Sequence, residues 1–440
     1  MPDTSASNGA LPALRIAIAG LGTVGAGVIR LLDTNRELIA ARAGRGLEVT
    51  AVSARDRTKD RGVNHERFSW EDDMTALASR ADVDVVLELV GGSDGPALAL
   101  SRAALAGGKG LVTANKAMIA HHGLSLAEQA EEKGLPLKFE AAVAGGIPVV
   151  KGLREGTSAN ALTKVYGILN GTCNYILTEM EATGADFAET LAEAQRLGYA
   201  EADPTFDIEG IDAAHKLSIL STIGFGTRLD FANVRTTGIV AVRAADIAQA
   251  DALGFVIRLI AEADVADGTL LQRVRPCLVA KDHPLAPVDG PTNAVVAEGN
   301  FSGRLLFQGA GAGDGPTASA VVADLIDIAR EEVGAPFSMP VAQLAPLDPG
   351  QPDDRLERTY LRFTVKDRPG VLAEITAAMR DANVSIESLI QQGRGGVDDE
   401  VLVAMVTHEG PERGIAKALE LLDGSDSLTA PPLVLPILSN

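Results

Sequence analysis

From residue 14 to about residue 140, short apolar runs alternate with segments whose apolar positions recur every three or four residues. "RIAIAG", "LEVTAVSA", "VDVVLELVGG", "GLVTANK" and "LPLKFEAAV" read as five short strands. "GAGVIRLLDTNRELI" and "PALALSRAALAGG" read as helices between them. Such alternation with short connections predicts an α/β fold with a Rossmann-like, doubly wound parallel sheet over residues 14–144.

The pattern changes over residues 145–315. A turn and a strand are expected in "EGTSANALTKVYGILNG", and two helices in "CNYILTEMEATGADFAETLAEAQRLG". "IDAAHKLSILSTIGF" has clear helical spacing, and from about residue 268 "LLQRVRPCLVA", "NAVVAEGNF" and "GRLLFQGAGAG" read as strands. This is the signature of a mixed α+β domain. A helix over residues 316–334 is expected to complete the first domain. Residues 344–358 are rich in proline and aspartate and read as a linker. Residues 359–440 follow a βαββαβ order, the ferredoxin-like plan. Residues 1–13 are polar and aperiodic and read as a disordered tail.

Composition narrows the functional classes. The chain has 440 residues, 46% hydrophobic and 22% charged, with a formal net charge of −20. That surface repels nucleic-acid phosphates and anionic lipid, so neither is expected as a partner. No run approaches the ~20 apolar residues of a membrane span. The two cysteines, Cys173 and Cys277, build no disulfide framework, which suits a reducing cytoplasm.

The candidate chemistry sits in three places. Gly20, Leu21, Gly22, Thr23, Val24, Gly25 and Gly27 connect the first strand to the first helix. A glycine turn in that context lets backbone amides and the helix N-terminus approach a pyrophosphate, so a dinucleotide cofactor is expected. At the end of the second strand, Arg55, Arg57 and Lys59 favour the 2′-phosphate of NADP, while Asp56 leaves NAD open. Lys116 follows the fourth strand, at the end of the sheet where ligands of open α/β folds bind. In "GYAEADPTFDIEGIDAAHK", Glu201, Asp203, Asp207, Glu209 and Asp212 precede Lys216. Asp212 and Lys216 lie one helical turn apart, so the carboxylate can orient the ammonium. The surrounding carboxylates suit a substrate that carries an ammonium group. The histidines show no metal-ligand spacing, and His215 reads as structural.

Taken in order, "GLGTVGAG", "TANKA", "EAAVAGGIP", "GILNGTCNYIL", "GYAEADPTFDIEGIDAAHK" and "PTASAVVADL" closely resemble homoserine dehydrogenases of the bacterial monofunctional type, over residues 14–340. From Thr359, "VKDRPGVLAEI" and "ANVSIESLIQ" resemble an ACT domain. The resemblance implies reversible NAD(P)H-dependent reduction of aspartate 4-semialdehyde to homoserine, in threonine, methionine and isoleucine biosynthesis. It implies that Lys216 is the proton donor and acceptor, that Asp212 is its partner, and that Lys116 contacts cofactor and substrate. Glu201, with Asp207, would bind the substrate. A monovalent cation, sodium, is implied at Glu140, Val143, Gly145 and Ile147. The α+β domain would also mediate dimerisation, giving a dimer or tetramer. Threonine is the implied effector, at Asp367, Gly370 and Asn383 on a face shared by two tails paired side by side. On that sensor reading, removal of residues from about 345 onward would spare catalysis and abolish inhibition. Two other readings are a semialdehyde dehydrogenase, which needs an activated cysteine that the chain does not offer convincingly, and a catalytically inactive nucleotide- and amino-acid-binding regulator.

Overall fold

The computed structural model describes residues 11–392 and 400–439. Most of the tail expected at residues 1–13 therefore lies outside the described residues. The first elements are β1 (Leu14–Ala19), α1 (Thr23–Thr34), α2 (Arg36–Ala43), β2 (Leu47–Ser53), β3 (Ser69–Trp70), β4 (Val85–Glu88), α3 (Pro96–Ala106), β5 (Gly110–Thr113), α4 (Lys116–Lys133) and β6 (Leu137–Lys138). The six strands form one parallel sheet in the order β3-β2-β1-β4-β5-β6. This is the doubly wound arrangement expected from the alternation, with one strand more. Ser69–Trp70 is too short to carry a two-residue period, so sequence pattern missed it. The helix read across residues 25–39 is two helices, parted at Asn35.

Next come α5 (Val149–Lys151), β7 (Leu162–Ile168), α6 (Gly171–Thr183), α7 (Phe187–Leu197), α8 (Thr205–Ile208), α9 (Ile211–Phe225), β8 (Arg235–Thr236), α10 (Ala244–Ala252), β9 (Phe255–Ala266), β10 (Thr269–Ala280), β11 (Thr292–Gly299), β12 (Gly303–Ala310) and α11 (Asp314–Ala329). The tail contains β13 (Asp348–Pro349), β14 (Leu356–Glu357), β15 (Thr359–Lys366), α12 (Val371–Asp381), β16 (Ile386–Gln392), β17 (Glu400–Thr407), β18 (Gly410–Pro411), α13 (Glu412–Leu421) and β19 (Leu428–Pro436). No helix among the described residues is long and apolar enough to cross a membrane.

The chain divides into two compact units. One comprises residues up to Val165, His215–Ala232 and Val295–Leu347. Its core joins Ile16 and Ile18 of β1, Val28 and Ile29 of α1, Leu87 of β4, and Val321 and Leu325 of α11. Helix α11 packs against α1. A Cβ at Gly27 would lie 2.9 Å from the Asp314 carbonyl oxygen and 3.3 Å from the Ala318 Cβ, so glycine permits that close crossing.

The other unit comprises Tyr166–Ala214, Asn233–Ala294 and Asp348 onward. Strands β9 and β10 pair antiparallel along twelve residues each, turning at Asp267 (φ +50°) and Gly268 (φ +76°). This Asp-Gly pair is a strong hairpin signal, and β9 could have been read from it. Strands β8 and β13 add to β10 in parallel. The tail folds into an antiparallel sheet in the order β16-β17-β15-β19, with α12 and α13 over a core of Phe363, Ile375, Met379, Val403 and Ile415. The βαββαβ expectation matches this topology.

Residues 348–358 are tied down at several points. Besides β13, Leu356 and Glu357 pair with Pro411 and Gly410. Arg355 Nε lies 2.5 Å from Asp264 Oδ1, and Glu357 bonds both Arg273 and Arg275 of β10. Composition alone showed a loop and gave no sign of these ion pairs.

Candidate functional site

Strand β1 ends at Gly20, whose backbone is left-handed (φ +96°) and where a Cβ would lie 2.5 Å from the Leu89 carbonyl oxygen. A Cβ at Gly25 would lie 2.1 Å from the Gly20 carbonyl oxygen. These two glycines make the tight strand-to-helix turn possible. Gly22 is different: it is exposed, and a Cβ there would meet nothing within 4 Å. It is the N-cap of α1, the first turn of which holds no acidic residue and has no side-chain cap among the described residues. An N-terminus with no side-chain cap and room beside its N-cap glycine suits a phosphate. Leu21 is buried, Val24 half-buried and Thr23 exposed.

Beyond β2, Arg55, Asp56, Arg57 and Lys59 are exposed. The Asp56 carboxylate accepts from the Thr58 amide (2.8 Å) and hydroxyl (2.7 Å). These bonds hold its carboxyl below the usual range and turn it into its own loop.

At the carboxyl ends of β4 and β5 lies a hydrogen-bonded circuit. Glu88 is fully buried; its Oε1 accepts from the amides of Val90 (2.8 Å) and Gly91 (3.1 Å), and its Oε2 from the Thr113 hydroxyl (2.6 Å). The Thr113 hydroxyl oxygen accepts from the Asn115 amide. Asn115 caps α4 through the Met118 amide and donates to the Gly92 carbonyl at 2.7 Å. Lys116, half-buried, is the first residue of the helix thus fixed. Sequence reasoning missed Glu88, because a carboxylate ending an apolar run gives no sign of what it will bond.

Lys216 lies on α9, buried at 8% exposure. On the same helix His215 stacks on Phe231 with ring centroids 4.3 Å apart, and its Nε2 lies 3.4 Å from that of His121. Asp212, one turn before Lys216, is 4% exposed. In the second unit Asn170 Nδ2 donates to Asp207 Oδ1 (2.7 Å) and Asp212 Oδ2 (2.8 Å). The structure therefore brings together two of the five carboxylates of this stretch. Glu201, Asp203 and Glu209 are exposed, and Asp203 caps its own turn through Thr205. Cys173 is fully buried and its thiol donates to the Asp207 carbonyl (3.1 Å).

Glu140, Val143, Gly145 and Ile147 lie on one buried loop. Ala144 (φ +55°) and Gly145 (φ +53°) are both left-handed, a rare conformation for alanine. Glu140 accepts from the amides of Val150 (3.0 Å) and Lys151 (2.8 Å). Burial, followed by the charge of Asp324, pushes its carboxyl up to about 7. Among the described residues no group of three or more His, Cys, Asp or Glu is placed to hold a metal ion.

In the tail, Asp367 and Gly370 line a cavity of about 390 Å³ with Gln391. Asn383 (φ +59°) lines a second cavity, of about 640 Å³, with His408, Arg413 and Lys417. The three residues expected to share an effector do not share a cavity within one chain.

A family model described as "Homoserine dehydrogenase" matches residues 148–326. One described as "Homoserine dehydrogenase, NAD binding domain" matches residues 20–140, and one described as "ACT domain" matches residues 359–424. The chain is 43% identical to a homoserine dehydrogenase of Pseudomonas aeruginosa over 95% of its own length and 97% of the relative's. It is similar to the crystal structure of a homoserine dehydrogenase from Thiobacillus denitrificans, with a TM-score of 0.91 at 40% identity, covering 98% of this chain and 99% of the other. A hyperthermophilic archaeal homoserine dehydrogenase in complex with NADPH aligns with a TM-score of 0.63 at 26% identity, over 74% of this chain and 99% of that one.

Proposed function

The chain belongs to the homoserine dehydrogenase family, and on that premise we propose how its residues divide the reversible reduction of aspartate 4-semialdehyde to homoserine. It is an oxidoreductase with a nicotinamide-dinucleotide-binding domain and an ACT domain. The observation that carries the proposal is Lys216, a buried ammonium one helical turn past the buried carboxylate of Asp212.

The glycine turn of residues 20–27 would hold a nicotinamide dinucleotide, which would supply the hydride for the aldehyde carbon or accept it from the alcohol. As charge develops on the substrate oxygen, the Lys216 ammonium donates a hydrogen bond to it and then the proton. In the reverse direction the neutral amine accepts the proton of the homoserine hydroxyl. Asp212 orients that ammonium. Lys116 contacts the cofactor and the same oxygen, and the Glu88–Thr113–Asn115 circuit supports its position. Glu201 and Asp207 bind the substrate ammonium.

NADP is the cofactor we infer. Arg55 is exposed at the end of β2, and Asp56 already accepts two bonds from Thr58 on its Oδ1, which weakens it as an acceptor for a ribose hydroxyl. A monovalent cation, sodium in chemistry, fits the all-oxygen donor set of the Glu140 loop. With the Glu140 carboxylate turned onto backbone amides, carbonyls of Val143, Gly145 and Ile147 would hold the ion, which supplies positive charge and stiffness there. The ACT domain takes threonine as effector; because Asp367 and Gly370 line one cavity and Asn383 another, a shared threonine site needs two copies of the domain. A homo-oligomer in the cytoplasm accords with that reading.

The test is an absorbance assay at 340 nm with homoserine and NADP, then NAD. Faster turnover with NADP supports the reading. Faster turnover with NAD overturns the cofactor assignment, and no turnover with either overturns the activity.

A further inference from the structure

Asn170 stands between β7 and α6 at 3% exposure. Its Oδ1 accepts from the Cys173 amide at 2.8 Å and caps α6. Both protons of its Nδ2 go to carboxylates, Asp207 of α8 and Asp212 of α9. Two acceptors on one amide nitrogen lie roughly 4–5 Å apart, a separation at which like charges repel.

The two carboxylates sit on different helices joined through Gly210, which is left-handed (φ +80°). A third element, the start of α6 with its cap, bonds to both. The Thr172 hydroxyl lies 3.3 Å from Asp207 Oδ2, the Cys173 thiol donates to the Asp207 carbonyl, and Asn170 bridges to Asp212.

We propose that Asn170 is a positioning residue of the reaction: its amide clamps Asp207 and Asp212 in one geometry and so couples the substrate-binding carboxylate to the one that holds Lys216. The proposal rests on the roles given above to Asp207 and Asp212. Only an amide serves both ends here. It accepts at the helix cap and donates twice to anions, which a carboxylate cannot do and a hydroxyl can do only once.

Isosteric Asn170→Asp tests it. Aspartate caps a helix as well as asparagine, so α6 keeps its cap, while both donations are replaced by a third negative oxygen. The titratable groups bonded to that side chain are Asp207 from α8 and Asp212 from α9; Cys173 of α6 meets it with its backbone amide, and its thiol donates to the Asp207 carbonyl. A buried carboxylate set against two others costs stability, so the melting temperature is expected to fall at pH 8, and rates are measured well below it. At pH 8, kcat/KM for homoserine is expected to fall at least tenfold through both KM and kcat, with the Kd for NADP unchanged. The deficit narrows as pH falls to 6, because the introduced carboxyl becomes a donor when protonated. Asn170→Ser, which keeps a cap and loses at least one donation, should show the loss without the recovery at low pH. It decides the matter if the aspartate variant does not fold. A kcat/KM within twofold of the parent in the folded variants overturns the clamp and leaves only a helix cap. Asp212→Asn separates the two levels. Full activity there overturns the reading beneath the proposal, whereas loss at 212 with silence at 170 overturns the clamp alone.

Discussion

Arg362 and Asp246 form a buried ion pair, Nε to Oδ1 2.9 Å and Nη2 to Oδ2 3.2 Å, joining β15 of the tail to α10. Tyr360 donates to the same carboxylate at 3.3 Å. Removing one partner of a buried pair leaves a desolvated charge and costs about 3–5 kcal/mol. Arg362→Ala is expected to lose that much in a urea melt, and a loss below 1 kcal/mol would count against the pair. The same reasoning changes the expectation for a chain cut near residue 345. The cut strips Arg355, Glu357 and Arg362 from Asp264, Arg273, Arg275 and Asp246. The shortened chain should melt well below the full one rather than retain undisturbed catalysis.

Lys216→Ala should reduce kcat by ~10²–10⁴-fold, the usual worth of a positioned proton transfer. Affinity for NADP, measured by fluorescence titration, should change little. Near-normal kcat would remove this lysine from the chemistry.

Two glycines separate folding from cofactor binding. Gly25→Ala places a Cβ 2.1 Å from the Gly20 carbonyl oxygen, so the variant should be visibly destabilised. Gly22→Ala meets no protein atom within 4 Å, so its melting temperature should be nearly unchanged. Its methyl group would occupy the approach of the phosphates, and KM for NADP should rise about tenfold or more. An unaltered KM would place the phosphates elsewhere.

Much of this was legible because it is local. The glycine spacing and strand–helix alternation of residues 14–32 encode the turn, and helical spacing located α9 at its observed bounds. Asn170 was not legible as a clamp. An asparagine before a helix signals a cap, and its carboxylate partners lie 37 and 42 residues away, where only tertiary folding brings them. Glu88 was hidden for the same reason, with Thr113 on a neighbouring strand. Motif resemblance grouped Asp367, Gly370 and Asn383 at a face between paired domains; in one chain the first two precede α12 and the third follows it.

Cofactor choice should follow Arg55. A charge-assisted hydrogen bond contributes about 1.5–3 kcal/mol, so Arg55→Ala should raise KM for NADP by roughly 10–100-fold and leave KM for NAD almost unchanged. Equal effects on both would assign the 2′-phosphate to other groups.

Burial, opposed by Arg275, pushes the Cys277 thiol up to about 12. An exposed thiol in the unfolded chain ionises near ~8.5. Between these values only the unfolded chain releases the proton, so this group lowers stability as pH rises from about 9. Urea melts from pH 7.5 to 10.5 should decline less steeply for Cys277→Ala than for the parent. The native thiol should also resist iodoacetamide at pH 8.5, and rapid labelling would contradict its burial.

Glu357, placed just ahead of the ferredoxin-like fold, neutralises arginines of a strand more than eighty residues upstream in the chain. Anyone grafting a foreign sensory module onto this enzyme should therefore make the suture after Glu357, so that Arg273 and Arg275 keep their counter-charge. The guest would also have to offer Asp246 an arginine in the place of Arg362.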